Sequence, residues 1–133
     1  MLMLLALLLS VEAASVKDCG TSNALFSISA LSFSPTDPLP GDNVTLHLEY
    51  NVPPPNTIND GTVSYDITYN FIPFAPSSEP LCMNVPCPLS PGKYTNDTTS
   101  KWPTGLSGTI VSVMRWKDLS SRLLLCVQIS GKV

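Results

Sequence analysis

The 133-residue chain has one histidine, His47, only 13% charged residues, and no stretch of helical apolar periodicity. Each shortage removes a class of chemistry. Alternation places His47 on the polar side of its strand, so nucleophilic hydrolysis lacks a base beside its nucleophile. Gly105-Leu106-Ser107-Gly108 has neither the G-x-S-x-G spacing nor the strand-to-helix setting of a nucleophile elbow. Glu49 and Asp66 point outward on open strands and read as solvated surface, not as an acid and base pair. Glycine-rich phosphate loops are absent. The four cysteines and single histidine match no zinc module, and ten acids against seven bases, without a basic stripe, argue against nucleic acid. No catalytic residue, metal ligand or cofactor is therefore expected.

What is present begins with a leader. Residues Met1 to Leu9 are almost all Leu and Met, and Val11 and Ala13 supply the small side chains of a cleavage site. Residues 1–14 are expected to be a signal peptide, cut after Ala13 or Ala14, and 15–133 the mature domain. The apolar run is too short for the roughly 20 residues of a membrane span, although its start lacks the usual Lys or Arg. Export permits disulfides. Of the three pairings open to four cysteines, Cys19 with Cys126 plus Cys82 with Cys87 is the simplest. A loop of about 100 residues closed in this way removes on the order of 4 to 5 kcal/mol of unfolded-chain freedom. Asn43-Val44-Thr45 and Asn96-Asp97-Thr98 are glycosylation acceptors in a host that glycosylates, which predicts Asn43 and Asn96 on the outside.

Apolar residues alternate over short runs bounded by Pro, Gly, Asn and Asp, the pattern of half-buried strands. Val44, Leu46, Leu48 and Tyr50 are expected inward against Thr45, His47 and Glu49, and Val63, Tyr65, Ile67, Tyr69 and Phe71 inward in the next run. Arg115 sets Ile110, Met114 and Trp116 inside and Val111 and Val113 on the other face. Arg122 and Gln128 place Leu123, Leu125, Val127 and Ile129 inside and Cys126 opposite, which predicts a disulfide on the outer side or rim of a sheet. A change of phase between Ala30 and Leu31 predicts a bulge. Prolines confine 35–41, 53–55, 73–80 and 86–92 to turns, edges or loops, and Asp60-Gly61 reads as a turn. Residues 92–102 alternate too weakly for their faces to be assigned. About seven strands without a helix or repeat predict an all-β, immunoglobulin-like sandwich of two antiparallel sheets.

Val16-Lys17-Asp18-Cys19-Gly20, then Cys82 with Val85-Pro86-Cys87-Pro88-Leu89, then Met114-Arg115-Trp116 ahead of Leu125-Cys126, resemble the ML (MD-2-related lipid-recognition) family over nearly the whole mature chain. That family includes the Niemann-Pick type C sterol carrier and phosphatidylglycerol/phosphatidylinositol transfer proteins. The resemblance implies a sandwich whose sheets splay to hold lipid. It departs from the sterol carrier at Phe33 to Gly41, where an additional disulfide has no cysteines, and this weighs toward phospholipid.

On this reading Leu48, Val63, Tyr65, Ile67, Tyr69, Ile110, Met114, Trp116 and Val127 wall a lipid gap, with Trp116 matching the family's tryptophan. Phe71, Ile72, Phe74, Trp102 and Leu106 form a greasy rim. The expected role is a monomeric, secreted or endolysosomal carrier of phospholipid or sterol that touches membranes transiently and performs no chemistry. The alternative is an adhesion or receptor-associated module with a solid core, and a hollow interior separates the two.

Overall fold

The alternating segments form nine strands in the computed structural model, which describes residues 14–133. They are β1 (Ser15–Asp18), β2 (Ser27–Ser34), β3 (Asn43–Val52), β4 (Gly61–Tyr69), β5 (Ile72–Pro73), β6 (Ser77–Pro80), β7 (Gly92–Lys101), β8 (Thr109–Asp118) and β9 (Leu123–Lys132). Two single 3-10 turns, Thr21–Asn23 and Leu81–Met83, complete the elements. The short β1, β5 and β6 bring the count above the expected seven. The expected leader lies outside the described residues except for Ala14.

All pairings are antiparallel. One sheet runs β1-β9-β8-β4-β5, with β6 also on the outer edge of β4, and the other runs β2-β3-β7. The proline-rich 73–80 segment is thus an edge, where a missing N–H disturbs no central ladder. One flank of the sandwich is stitched shut. The N–H groups of Leu25 and Phe26 donate to the carbonyls of Leu123 and Leu124 in β9 (3.1 and 2.8 Å) before β2 crosses to pair with β3. On the other flank, among the described residues, no hydrogen bond joins β7 to β4.

The expected parities hold in β3, where Val44, Leu46, Leu48, Tyr50 and Val52 are buried, and in β8, where Ile110, Met114 and Trp116 meet the core. Two bulges modify them. In β2, Ile28 pairs with Tyr50 and Ala30 with Glu49, so Ser29 is the extra residue, slightly earlier than the phase change suggested. In β9, Trp116 pairs with Leu125 and Lys117 with Leu123, leaving Leu124 unpaired and turned into the core. Cys126 is buried, not at an open rim. Both expected disulfides form, Cys19–Cys126 and Cys82–Cys87.

Phe71 corrects a parity. β4 ends at Tyr69, and Asn70 and Phe71 (φ 47° and 66°) make a two-residue hairpin turn that throws Phe71 outward, 94% exposed. The turn is pinned to the start of β8: Asn70 Oδ1 accepts from the Thr109 N–H (2.9 Å), and the Asn70 N–H donates to the Thr109 carbonyl (2.8 Å). Gly108 (φ 131°) is required beside it, because a Cβ there would lie 2.1 Å from Asn70 Oδ1.

Candidate functional site

The space between the sheets is filled at one end and vacant at the other. At the filled end Tyr50 stacks between Phe26 and Tyr94, each at 5.6 Å, and lies T-shaped to Trp116 at 5.1 Å. Toward the start of β3 the inward residues become small. Cross-strand register sets Thr98 beside Leu46 and Ser100 beside Val44, while Ser112 follows Ile110 on the inner face of β8.

The consequence is a cavity of about 290 Å³. Phe33, Val44 and Leu46 wall it from one sheet, Tyr65, Met114, Val127 and Ile129 from the other, and Thr98, Ser100 and Ser112 supply its polar fringe. A further space of about 140 Å³ prolongs it past Trp102, Pro103 and Ile110. Toward the filled end it narrows to a niche of about 10 Å³ bordered by Leu48, Asn84, Asn96 and Trp116. The main cavity is close to the roughly 300 Å³ at which small-molecule sites begin. Thr98 and Ser100 face inward yet remain exposed, so the gap opens to solvent along β7.

None of the residues lining the main cavity is charged. The Tyr65 hydroxyl donates to Glu79 Oε1 (3.2 Å), and burial, aided by that carboxylate, pushes its phenol up to about 12. Burial pushes the Tyr50 phenol up to about 12 as well, reinforced by the Tyr94 phenol. Both rings are neutral at any physiological pH, Tyr65 in the cavity wall and Tyr50 in the filled core. Trp116 is 2% exposed, and its Nε1 is buried without a hydrogen-bond partner. Such a group costs about 1–3 kcal/mol until an acceptor reaches it.

Of the residues expected to contact lipid, Leu48, Tyr65, Ile110, Met114, Trp116, Val127 and Trp102 border these spaces. Val63 packs in the filled core opposite Trp116, and Ile67 and Tyr69 are partly buried beyond the walls. Trp102 is a wall residue instead of a rim residue. It is 5% exposed, it packs on Gly131, and its Nε1 donates to the Lys132 carbonyl (3.1 Å). Phe71, Ile72, Phe74 and Leu106 are exposed as a rim requires, and Leu39 joins the exposed apolar residues of the chain. Register puts this rim at the vacant end, since Tyr69 pairs with Ile110 and stacks on Phe74.

Asn96 is half-buried on the inner face of β7, and Nδ2, the atom a glycan would occupy, donates to the Asn84 carbonyl (3.0 Å), whereas Asn43 is exposed. His47 lies on the outer face as expected, with Nδ1 2.5 Å from Asp97 Oδ1 and Nε2 3.6 Å from Glu49 Oε1. The Asp97 hydrogen bond chiefly raises its pKa. Among the described residues no cluster of His, Cys, Asp and Glu is arranged to hold a metal ion.

Val44, Leu46 and Ile129 were legible as inward residues but not as cavity walls, and Phe33 was not assigned a face. Ser112, Thr98 and Ser100 were missed. The available signal was a small residue in an inward series, as Ser112 is between Ile110 and Met114.

Comparison with known proteins gives concordant matches. The ML domain family matches residues 13–133. A protein named putative phosphatidylglycerol/phosphatidylinositol transfer protein 1, from Dictyostelium discoideum, is 29% identical over 93 residues, spanning 68% of this chain and 60% of that protein. The Niemann-Pick type C2 protein of the Japanese carpenter ant superposes with a TM-score of 0.65 at 15% identity, covering 89% of this chain and 98% of the other. Chicken MD-1, crystallised with lipid IVa, gives 0.61 at 13% identity, covering 90% and 88%. At these identities the two solved structures establish the shared fold.

Proposed function

The chain belongs to the ML domain family, and from that premise we propose that it carries lipid between membranes without chemistry, holding the apolar part of a phospholipid or sterol between its sheets. The observation that carries this reading is the apolar-walled cavity of about 290 Å³, which a solid-cored adhesion module would not have.

The physics follows from the walls. Each methylene moved out of water into such a gap recovers about 0.8 kcal/mol, so a 16-carbon chain is worth on the order of 12 kcal/mol before association costs. A dry cleft on that scale competes with a bilayer. Exchange needs contact with a membrane, and Phe71, Ile72, Phe74 and Leu106 present apolar area at the vacant end for it. The Phe71 turn is anchored through Asn70, so the ring is displayed without further ordering. The name of the Dictyostelium relative, together with a cavity close to the small end of ligand sites, weighs toward a single phospholipid tail over a sterol. The two disulfides suit a secreted or endolysosomal lumen, with the domain acting as a monomer.

The direct test is mass spectrometry of lipid co-purified with the protein, followed by exchange of a fluorescent phospholipid between vesicles. Co-purified lipid and protein-dependent exchange are expected. Failure to bind any member of a sterol and phospholipid panel would favour the adhesion reading.

A further inference from the structure

Strand register gives the gap between the sheets a depth. Inward residues of β8 mark it off in steps of two, with Ile110 bordering the outer space, Ser112 both spaces and Met114 the inner one. Four residues of antiparallel strand cover about 14 Å. Below Met114 the gap shrinks to about 10 Å³ beside Leu48 and Trp116, which is room for a water-sized atom and not for a hydrocarbon chain. Neighbouring strands close at the same level. Trp116 pairs with Val63 and with Leu125, all three and Leu48 are 2% exposed or less, and Tyr50 lies T-shaped to Trp116 behind them. Among the described residues Lys101 is the only charged one that borders either space, and it stands at the outer one. A guest therefore keeps its polar end at the Trp102 level and points its tail at Leu48.

Resting on the carrier reading, we propose that the cavity is a ruler for one alkyl chain of medium length, with Leu48 and Trp116 as its stop, and that it selects single-chain lipids. A C–C bond of about 1.5 Å at an angle near 111° advances a chain by about 1.25 Å, so about 11 carbons span a depth of about 14 Å. Carbons beyond that number stay outside and gain nothing from the walls. Width sets the second limit: a main cavity of about 290 Å³ lies at the small end of ligand sites, which suits one tail and leaves a second in water. The phospholipid of the carrier reading is thereby narrowed to its lyso form.

Octanoyl, decanoyl, dodecanoyl, tetradecanoyl and hexadecanoyl lysophosphatidylcholines, each below its micelle concentration, are titrated into the wild-type protein by calorimetry. Affinity is expected to rise about fourfold per added carbon from octanoyl to decanoyl, and to change by less than about twofold from dodecanoyl to hexadecanoyl. Didecanoyl phosphatidylcholine is expected to bind within about twofold of the decanoyl lyso lipid. Leu48→Ala shortens the stop and is expected to move the break to longer tails by about two carbons, and the wild-type series decides the matter where that variant does not fold. A rise that continues undiminished to hexadecanoyl, much tighter binding of the didecanoyl lipid, or an unmoved break in a folded Leu48→Ala protein overturns the ruler and leaves the carrier reading intact. Binding of none of these lipids by a protein that still exchanges the fluorescent phospholipid also overturns the ruler alone. Loss of both defeats the carrier reading with it.

Discussion

The two ends of β3 face opposite fates. At its end, Tyr50 packs against Phe26, Tyr94 and Trp116 and Val52 is fully buried, whereas at its start Val44 and Leu46 look onto a cavity of about 290 Å³. Both halves of the strand are apolar. The difference lies in their partners: Tyr94 opposes Tyr50, but Thr98 and Ser100 oppose Leu46 and Val44, with Ser112 across the gap. A cavity is made here by withholding volume from β7 and β8 while the remaining walls keep their size. Stability is concentrated at the filled end, which leaves the vacant end free to bind.

Breaking the filled end should have the largest effect. The Cys19–Cys126 bond closes a loop of 107 residues onto that end, and replacing both cysteines by Ser should lower stability by about 4 kcal/mol, read by urea unfolding. Leu125→Ala, at a fully buried position, should cost about 3 kcal/mol. Met114→Ala removes a side chain of similar size from the cavity wall and should cost about 1–2 kcal/mol, below the usual range, because that side chain already borders empty space. Equal losses at Leu125 and Met114 would erase the contrast between the ends.

Smaller effects sharpen it. Phe71→Gly relieves a left-handed backbone at an exposed ring and should leave stability level or raise it by up to about 1 kcal/mol. The same variant should slow lipid exchange with vesicles, so that stability and transfer move in opposite directions. Last is His47, which clamps the outer face of β3 to β7. Its folded pKa stands above the ordinary 6.5, chiefly through Asp97, so its stabilisation is full below that ordinary value and disappears as pH rises through the raised one. Thermal unfolding between about pH 5 and pH 8 should show a slight fall in wild type and none in His47→Gln.

Sequence reasoning reads the filled end better than the vacant one, for a physical reason. Alternation announces a strand whose inner face is apolar, as in Val44 to Tyr50, and the inner face of β7 is Asn96, Thr98 and Ser100, which erases that signal where the site is built. The cysteine frame and the family motifs were legible because residue identity and spacing carry them, with no need of alternation. Phe71 was misplaced because period-two counting runs straight through a two-residue turn, and the turn's stability depends on Asn70 meeting the start of β8, 39 residues away. The indole N–H of Trp116 has no sequence signature at all. Its burial without a partner becomes visible only in the folded chain.

Ser112→Phe, assayed for lipid binding alongside urea unfolding, tests the central claim most directly. Vacancy at that position predicts that the larger ring fills the cavity and weakens binding at least about tenfold, with stability changed by no more than about 1 kcal/mol. Undiminished lipid binding in a folded Ser112→Phe protein would contradict it.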